Sequence, residues 1–285
     1  MTDVSDPNPY TSPSAVTTAS EPGLGSLGPA RAWTPIEAIE FGWNAVRQGP
    51  MIVLLLVVAG IVTSVPDMIG GAIQGVLMLD QRQEMIVIAI SVRLLFMLVG
   101  FGLAAWITLG KTRVKIKVCR GGKADFGEIF SGGALWSVLG AYFLLGLAFA
   151  VGLAVTVGPG VVLIAIADRE EQGAIAMILG ALLFAVPALV IAWRVQFFPF
   201  LIVERGADAV QSIKASWRIT EGQLFGLFVL WLLTIALVIA ALIAGLLACV
   251  VGLIVTLPTA LAVLALAQSY IYLKLSGEEP ALTAG

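Results

Sequence analysis

The chain has 285 residues, 59% hydrophobic and 12% charged, with a formal net charge of -2 and a mean hydropathy of +1.01. A soluble domain carries roughly 45–50% apolar and about 25% charged residues, so these values exclude that class and predict a polytopic membrane protein. Histidine is absent, which removes the commonest general base, metal ligand and partner of a Ser or Cys nucleophile. Most hydrolase chemistries fall with it, and no cofactor or metal is expected.

Residues 1–33 are rich in Pro, Ser, Thr and Gly and hold no apolar run. Such a segment buries too little surface to offset its ordering entropy, so a disordered tail is expected. It has neither the basic start nor the apolar core of a secretory signal.

About 20 apolar residues cross a bilayer. On that measure six spans are predicted, at 51–70, 85–110, 134–157, 174–197, 223–248 and 256–275. Pro66 is expected to kink the first, with residues 68–79 forming a short helix on the outer face. Gly158, Pro159 and Gly160 are expected to end the third, which leaves 161–167 too short to cross. The last two spans share one apolar run, Leu224 to Gln268, which must turn; Gly252 and Pro258 mark the place. Ala236, Ala240, Ala244, Ala248 and Gly252 recur every fourth residue there. This ladder predicts a close helix-packing seam central in the bundle.

Orientation follows from the basic residues. With the N-terminus inside, the inner segments hold Arg31, Arg47, Lys111, Arg113, Lys115, Lys117, Arg120, Lys123, Arg205, Lys214, Arg218 and Lys274, and the outer ones only Arg82 and Arg169. That asymmetry places both termini in the cytoplasm of a multi-pass protein of the cytoplasmic (inner) membrane. Residues 34–276 then form the transmembrane domain and 277–285 a short cytoplasmic tail. Cys119 and Cys249 fall on opposite sides, and no disulfide is expected.

Short polar segments precede the spans. In TPIEAIEFGWNAVRQGP, Thr34 is a helix cap, Pro35 takes the first helical position, Glu37 closes a capping box and Gly49 terminates. In DAVQSIKASWRITEG, Asp208 and Gln211 play the same parts, with Gly222 as terminator. Counted from each cap, positions +2, +5, +9 and +12 hold Ile36, Ile39, Trp43, Val46 and Val210, Ile213, Trp217, Thr220. A third, shorter copy begins at Asp125, with Glu128 three residues on. The fold class expected is all-α, with six transmembrane helices in three hairpins, each preceded by an amphipathic interfacial helix. Trp43 and Trp217 are candidate interfacial anchors.

The stretches FPFLIVERGADAVQSIKASWRITEG, RGGKADFGEIFSGG and TLPTALAVLALAQSYIYLKL resemble uncharacterised bacterial six-helix membrane proteins. These are related to the membrane domain fused to some glycerophosphodiester phosphodiesterases. The resemblance spans about 34–276 and implies the fold; the catalytic domain of such fusions uses histidines, so its activity is not implied here.

Lys111, Arg113, Lys115, Lys117, Arg120 and Lys123 end the second span, and such clusters attract anionic headgroups. They are the candidate lipid or phosphate contacts; topology alone is the competing explanation. Without an aromatic interleaf or binding motif, nucleic acid is not an expected partner. Arg93 lies roughly 12 Å into the second span, at 1.5 Å per residue, and is a site hypothesis by default. Asp67 is its expected partner, with snorkelling or a structural ion pair as the plain alternative. Arg194, near the inner boundary, is expected to snorkel. No carboxylate sits at mid-span, against coupled transport and aspartyl chemistry. The leading expectation is a non-catalytic membrane protein acting through lipid or protein contacts on its cytoplasmic face, either with a membrane-protein partner or as a homo-oligomer. The alternatives are a facilitator or exporter of a small or amphiphilic solute, with Arg93 on the route, and an accessory subunit of a membrane complex.

Overall fold

The computed structural model describes residues 30–79, 82–131, 133–165, 170–248 and 252–281. Residues 1–29 of the tail expected over 1–33, Arg169 and Cys249 lie outside them; the end of that segment is not loose, since Trp33 packs against the core and the Arg31 amide bonds to the Lys274 carbonyl. The described elements are ten helices: α1 (Pro35–Gln48), α2 (Met51–Leu77), α3 (Gln83–Cys119), α4 (Phe126–Ile129), α5 (Leu135–Ala165), α6 (Glu170–Val195), α7 (Phe198–Arg205), α8 (Ala209–Ile219), α9 (Leu224–Leu247) and α10 (Leu253–Leu275). Six segments are long and apolar enough to cross a membrane: α2, α3, α5, α6 continued by α7, α9 and α10. The chain is a multi-pass helical membrane protein.

Two expected interruptions are absent. Residues 68–77 continue α2 through Pro66 instead of forming a separate surface helix. Likewise, α5 runs through Pro159 and Gly160 to Ala165. In an apolar surrounding a break would leave several more backbone groups unpaired with no water to satisfy them, so the helix runs on through the proline where it would break in water. Local packing assists. Pro66 is buried beside Gly100 of α3. Gly160 lies against Met177 and Gly173 of α6, and Gly180 lies against the Thr156 backbone, so any added Cβ would collide. The glycines near Pro159 are thus a seam between α5 and α6, where small residues let backbones approach.

The ladder Ala236, Ala240, Ala244, Ala248 is also not what its spacing suggested. All four alanines are exposed. Helix α9 meets α10 through another face: Gly245 lies against Leu253 and Thr256, and the Thr256 hydroxyl donates to the Ala241 carbonyl at 2.9 Å. Pro258, expected in the turn, lies inside α10.

Helix α10 is central. In its apolar window 44% of residues are buried, against 6–22% in the other spans. The core gathers where α3, α7 and α10 end. Ile107, Val114, Ile116 and Cys119 of α3 cluster with Phe200 and Leu201 of α7 and with Leu266, Ile271 and Tyr272 of α10. Elsewhere, large apolar side chains such as Leu98, Phe143, Leu183 and Leu247 are exposed, the condition of a face solvated by lipid.

The short helices α1 and α8 share one burial pattern. Positions +4, +7, +8, +11 and +12 after the cap are buried in both: Ala38, Phe41, Gly42, Ala45 and Val46, and Ser212, Ala215, Ser216, Ile219 and Thr220. Positions +2 and +9 point outward, with Trp43 47% and Trp217 41% exposed. The Thr34 capping box is complete, and Asp208 accepts from the Gln211 amide at 2.8 Å. Asp125 caps α4 through the Gly127 amide instead, and the Glu128 carboxylate pairs with Lys117. Helix α1 packs on α10 and α9, α4 on α3, and α8 on α7, α5 and α6.

Candidate functional site

The six basic residues that end the second span are adjacent in sequence but divided in space. Residues 113, 117 and 120 follow one stripe of α3, since steps of three or four residues return to the same face. The Arg113 Nη1 donates to the Ser131 carbonyl at 2.6 Å and to its hydroxyl at 2.9 Å. Lys117 Nζ bonds to Glu128 Oε1 at 2.5 Å. Arg120 Nη2 pairs with Glu204 of α7 and, at 2.6 Å, with Glu278 beyond α10. The Tyr272 hydroxyl donates to the other Glu204 oxygen at 2.5 Å. Arg113, Lys117, Arg120, Glu128 and Glu204 border a cavity of about 530 Å³, but their charge is largely spent on one another. They tie α3, α4, α7 and α10 together.

Lys111 and Lys115 face elsewhere. With Thr108, Thr112, Leu56 of α2, and Leu261 and Ala265 of α10 they line a cavity of about 280 Å³. Among the described residues, no ion pair involves either lysine. Lys115 Nζ lies 4.8 Å from the centroid of the Phe200 ring, and that ring stacks on Tyr272. The Thr108 and Thr112 hydroxyls donate back along α3, to the Ala104 and Thr108 carbonyls. Lys123 is exposed beyond the turn at Gly121, whose φ of 78° fits glycine. It borders a third hollow with Gln48, Gly49 and Met51.

The structure brings Arg93 and Asp67 together. Arg93 Nη2 lies 3.1 Å from the Asp67 carboxylate, and Nη1 donates to the Asp67 carbonyl at 2.9 Å. Arg194 does not stand alone either: its guanidinium lies over the Trp217 ring, 4.6 Å from the centroid, a cation–π contact. Its carbonyl accepts from the Ser216 hydroxyl at 2.7 Å, and that hydroxyl in turn accepts from the Phe197 amide at 3.2 Å. The two terminal segments meet as well. The Arg31 amide donates to the Lys274 carbonyl at 2.9 Å, Arg31 pairs with Glu279, and the Ala281 amide donates to the Cys119 carbonyl at 3.0 Å. The Lys274 hydrogen bond, with Arg31 beside it, holds the Glu279 carboxyl below its ordinary range.

Sequence reasoning missed Glu204, Tyr272, Glu278 and helix α7. A signal for α7 was present: Pro199 stands in the first turn and Gly206, at φ 63°, closes the helix.

A family described as a domain of unknown function (DUF7847) matches residues 36–276. The chain belongs to that family. No curated protein and no solved structure matches it.

Proposed function

We propose that this DUF7847 protein is a non-catalytic protein of the cytoplasmic membrane that acts by binding anionic lipid on the face where α3, α7 and α10 end. The observation that carries the reading is the division of the basic cluster. Arg113, Lys117 and Arg120 are engaged by protein groups, whereas Lys111 and Lys115 line a cavity with no carboxylate partner among the described residues. A cluster that only set topology would have no reason to keep two ammonium groups together in a hollow; like charges one helical turn apart repel.

The expected topology supports the same reading. Both termini lie in the cytoplasm, and three units, each a short interfacial helix followed by a two-span hairpin, are arranged so that each short helix rests on the spans of another unit. Supporting this are the matched burial of α1 and α8 and the packing of α1 on α10, α4 on α3 and α8 on α7. Trp43 and Trp217, exposed on the outer faces of these helices, are the interfacial anchors. The likeness to the membrane domain of phosphodiesterase fusions is of the same kind, a lipid-facing module without chemistry of its own. Arg93 is occupied by Asp67, so no observation favours the solute-facilitator reading.

The test is reconstitution in nanodiscs of zwitterionic lipid titrated with phosphatidylglycerol, following the thermal midpoint. Two basic residues at about 1 kcal/mol each predict a rise of roughly 2 kcal/mol in stability, lost in Lys111→Gln/Lys115→Gln. Equal midpoints at all anionic fractions overturn the proposal.

A further inference from the structure

The cavity at Lys111 and Lys115 has an apolar neighbour. Leu56 and Leu261, which line it, also line a second hollow of about 430 Å³ between α2 and α10, continued by Gly60, Ile61, Met68 and Pro258. The two spaces share these leucines as a common border: a basic hollow on α3 and, next to it, an apolar groove running along α2. From Leu56 to Met68 the groove follows roughly 18 Å of helix at 1.5 Å per residue. That is close to half of the ~30 Å hydrocarbon thickness, the depth of one leaflet. Ile61, Met68 and Leu261 are exposed along it, so the groove opens sideways toward the surrounding lipid.

Resting on the lipid-binding reading above, we infer that this composite cleft holds a single phospholipid of anionic headgroup, its phosphate between Lys111 and Lys115 and one acyl chain in the α2–α10 groove. Charge decides the occupant. The Thr108 and Thr112 hydroxyls already donate to backbone carbonyls, so the donors free to meet a ligand are the two ammonium groups. An anion between them relieves their mutual repulsion, and a transmembrane helix of a partner would bring no such charge. The side chains lining the groove are apolar apart from the Ser64 hydroxyl, which donates to the Gly60 carbonyl at 2.9 Å. It therefore suits an acyl chain and not a polar solute.

Gly60 supplies a clean test, because a Cβ built there meets nothing within 4 Å. Gly60→Trp fills the groove without a backbone clash and leaves both lysines in place. The full chain is delipidated in mild detergent and given phosphatidic acid, phosphatidylcholine of the same chain length, or inorganic phosphate. Retained ligand is counted by native mass spectrometry, with circular dichroism as the check on folding. One phosphatidic acid per chain is expected, with weak retention of phosphatidylcholine and of phosphate. Lys111→Gln/Lys115→Gln is expected to weaken retention about 30-fold, and Gly60→Trp about tenfold or more. If Gly60→Trp binds phosphatidic acid as the wild type does while the lysine variant does not, the groove is overturned and the basic headgroup contact stands. If phosphate alone is retained as well as the lipid, the acyl component is overturned. If neither variant changes retention, the cleft and the parent reading fall together. A Gly60→Trp protein that does not fold is replaced by Gly60→Leu, read against the same outcomes.

Discussion

Gly42 is where the α1–α10 contact is most sensitive to a single methyl group. A Cβ at this position would run into the carbonyl oxygen of Val263, which is backbone of the central helix and cannot rotate aside. Its neighbours on the same face, Ala38 and Ala45, are buried as well. Overpacking of this kind costs about 1–3 kcal/mol, partly offset by the roughly 0.5–1 kcal/mol that alanine gains over glycine inside a helix. Gly42→Ala should therefore lose about 1–2 kcal/mol net, which at roughly 2–4 °C per kcal/mol lowers the midpoint by about 2–8 °C. Gly60→Ala is the matched control, since it adds the same methyl group to open space. Thermal unfolding of both variants in one detergent gives the comparison. If Gly42→Ala melts at or above the wild type, α1 does not lie against α10 as described.

Glu204→Gln removes the carboxylate shared by Arg120 and Tyr272. Arg120 keeps Glu278 and is partly solvated, so a loss of about 1–2 kcal/mol is expected in the same assay, and an unchanged midpoint would mean that the network does not hold α7 to α10. The Glu279 carboxyl is depressed by Lys274 and Arg31, so its contribution is present above the unfolded value of about 4.3 and fades as pH falls through the lower folded value. The midpoint difference between wild type and Glu279→Gln should thus be constant near pH 7 and vanish as pH falls through the depressed folded value; a difference that grows on acidification refutes the sign. For the Asp67–Arg93 pair, Asp67→Asn and Arg93→Gln should each destabilise, whereas the double variant should recover about 1–2 kcal/mol of coupling. Additive losses would show that the two residues act independently.

The six spans were legible because hydrocarbon imposes one rule, a run of apolar residues long enough to cross, and composition carries it directly. The Thr34 cap was legible for a related reason, since it depends on residues three apart. Pro66 and Pro159 misled because a proline is read as a breaker in water, where freed carbonyl groups find solvent. The alanine ladder of α9 misled because a stripe has a period but no address: small residues permit close approach without stating which neighbour arrives, and α10 met the face carrying Ala241 and Gly245 instead. At the basic end, the sequence placed six cations within thirteen positions but not around a helix. Their division depends on Glu128, Glu204 and Glu278, and the last two come from residues distant in the chain. The acyl groove has no sequence signature, because its lining is ordinary span residues left apart by the packing of α2 on α10.

Lipid binding on a cytoplasmic face requires that the end of α3 be inside, and labelling tests that most directly. Cys119 is unsuited, since it is buried and would resist reagent on either side. Lys123 and Glu171 are exposed on opposite ends of the bundle. In a chain with Cys119→Ala and Cys249→Ala, Glu171→Cys should react with an impermeant maleimide in intact cells, and Lys123→Cys only once the membrane is opened. Labelling of Lys123→Cys from outside intact cells, with Glu171→Cys protected, would put the basic end on the wrong side and contradict the proposal.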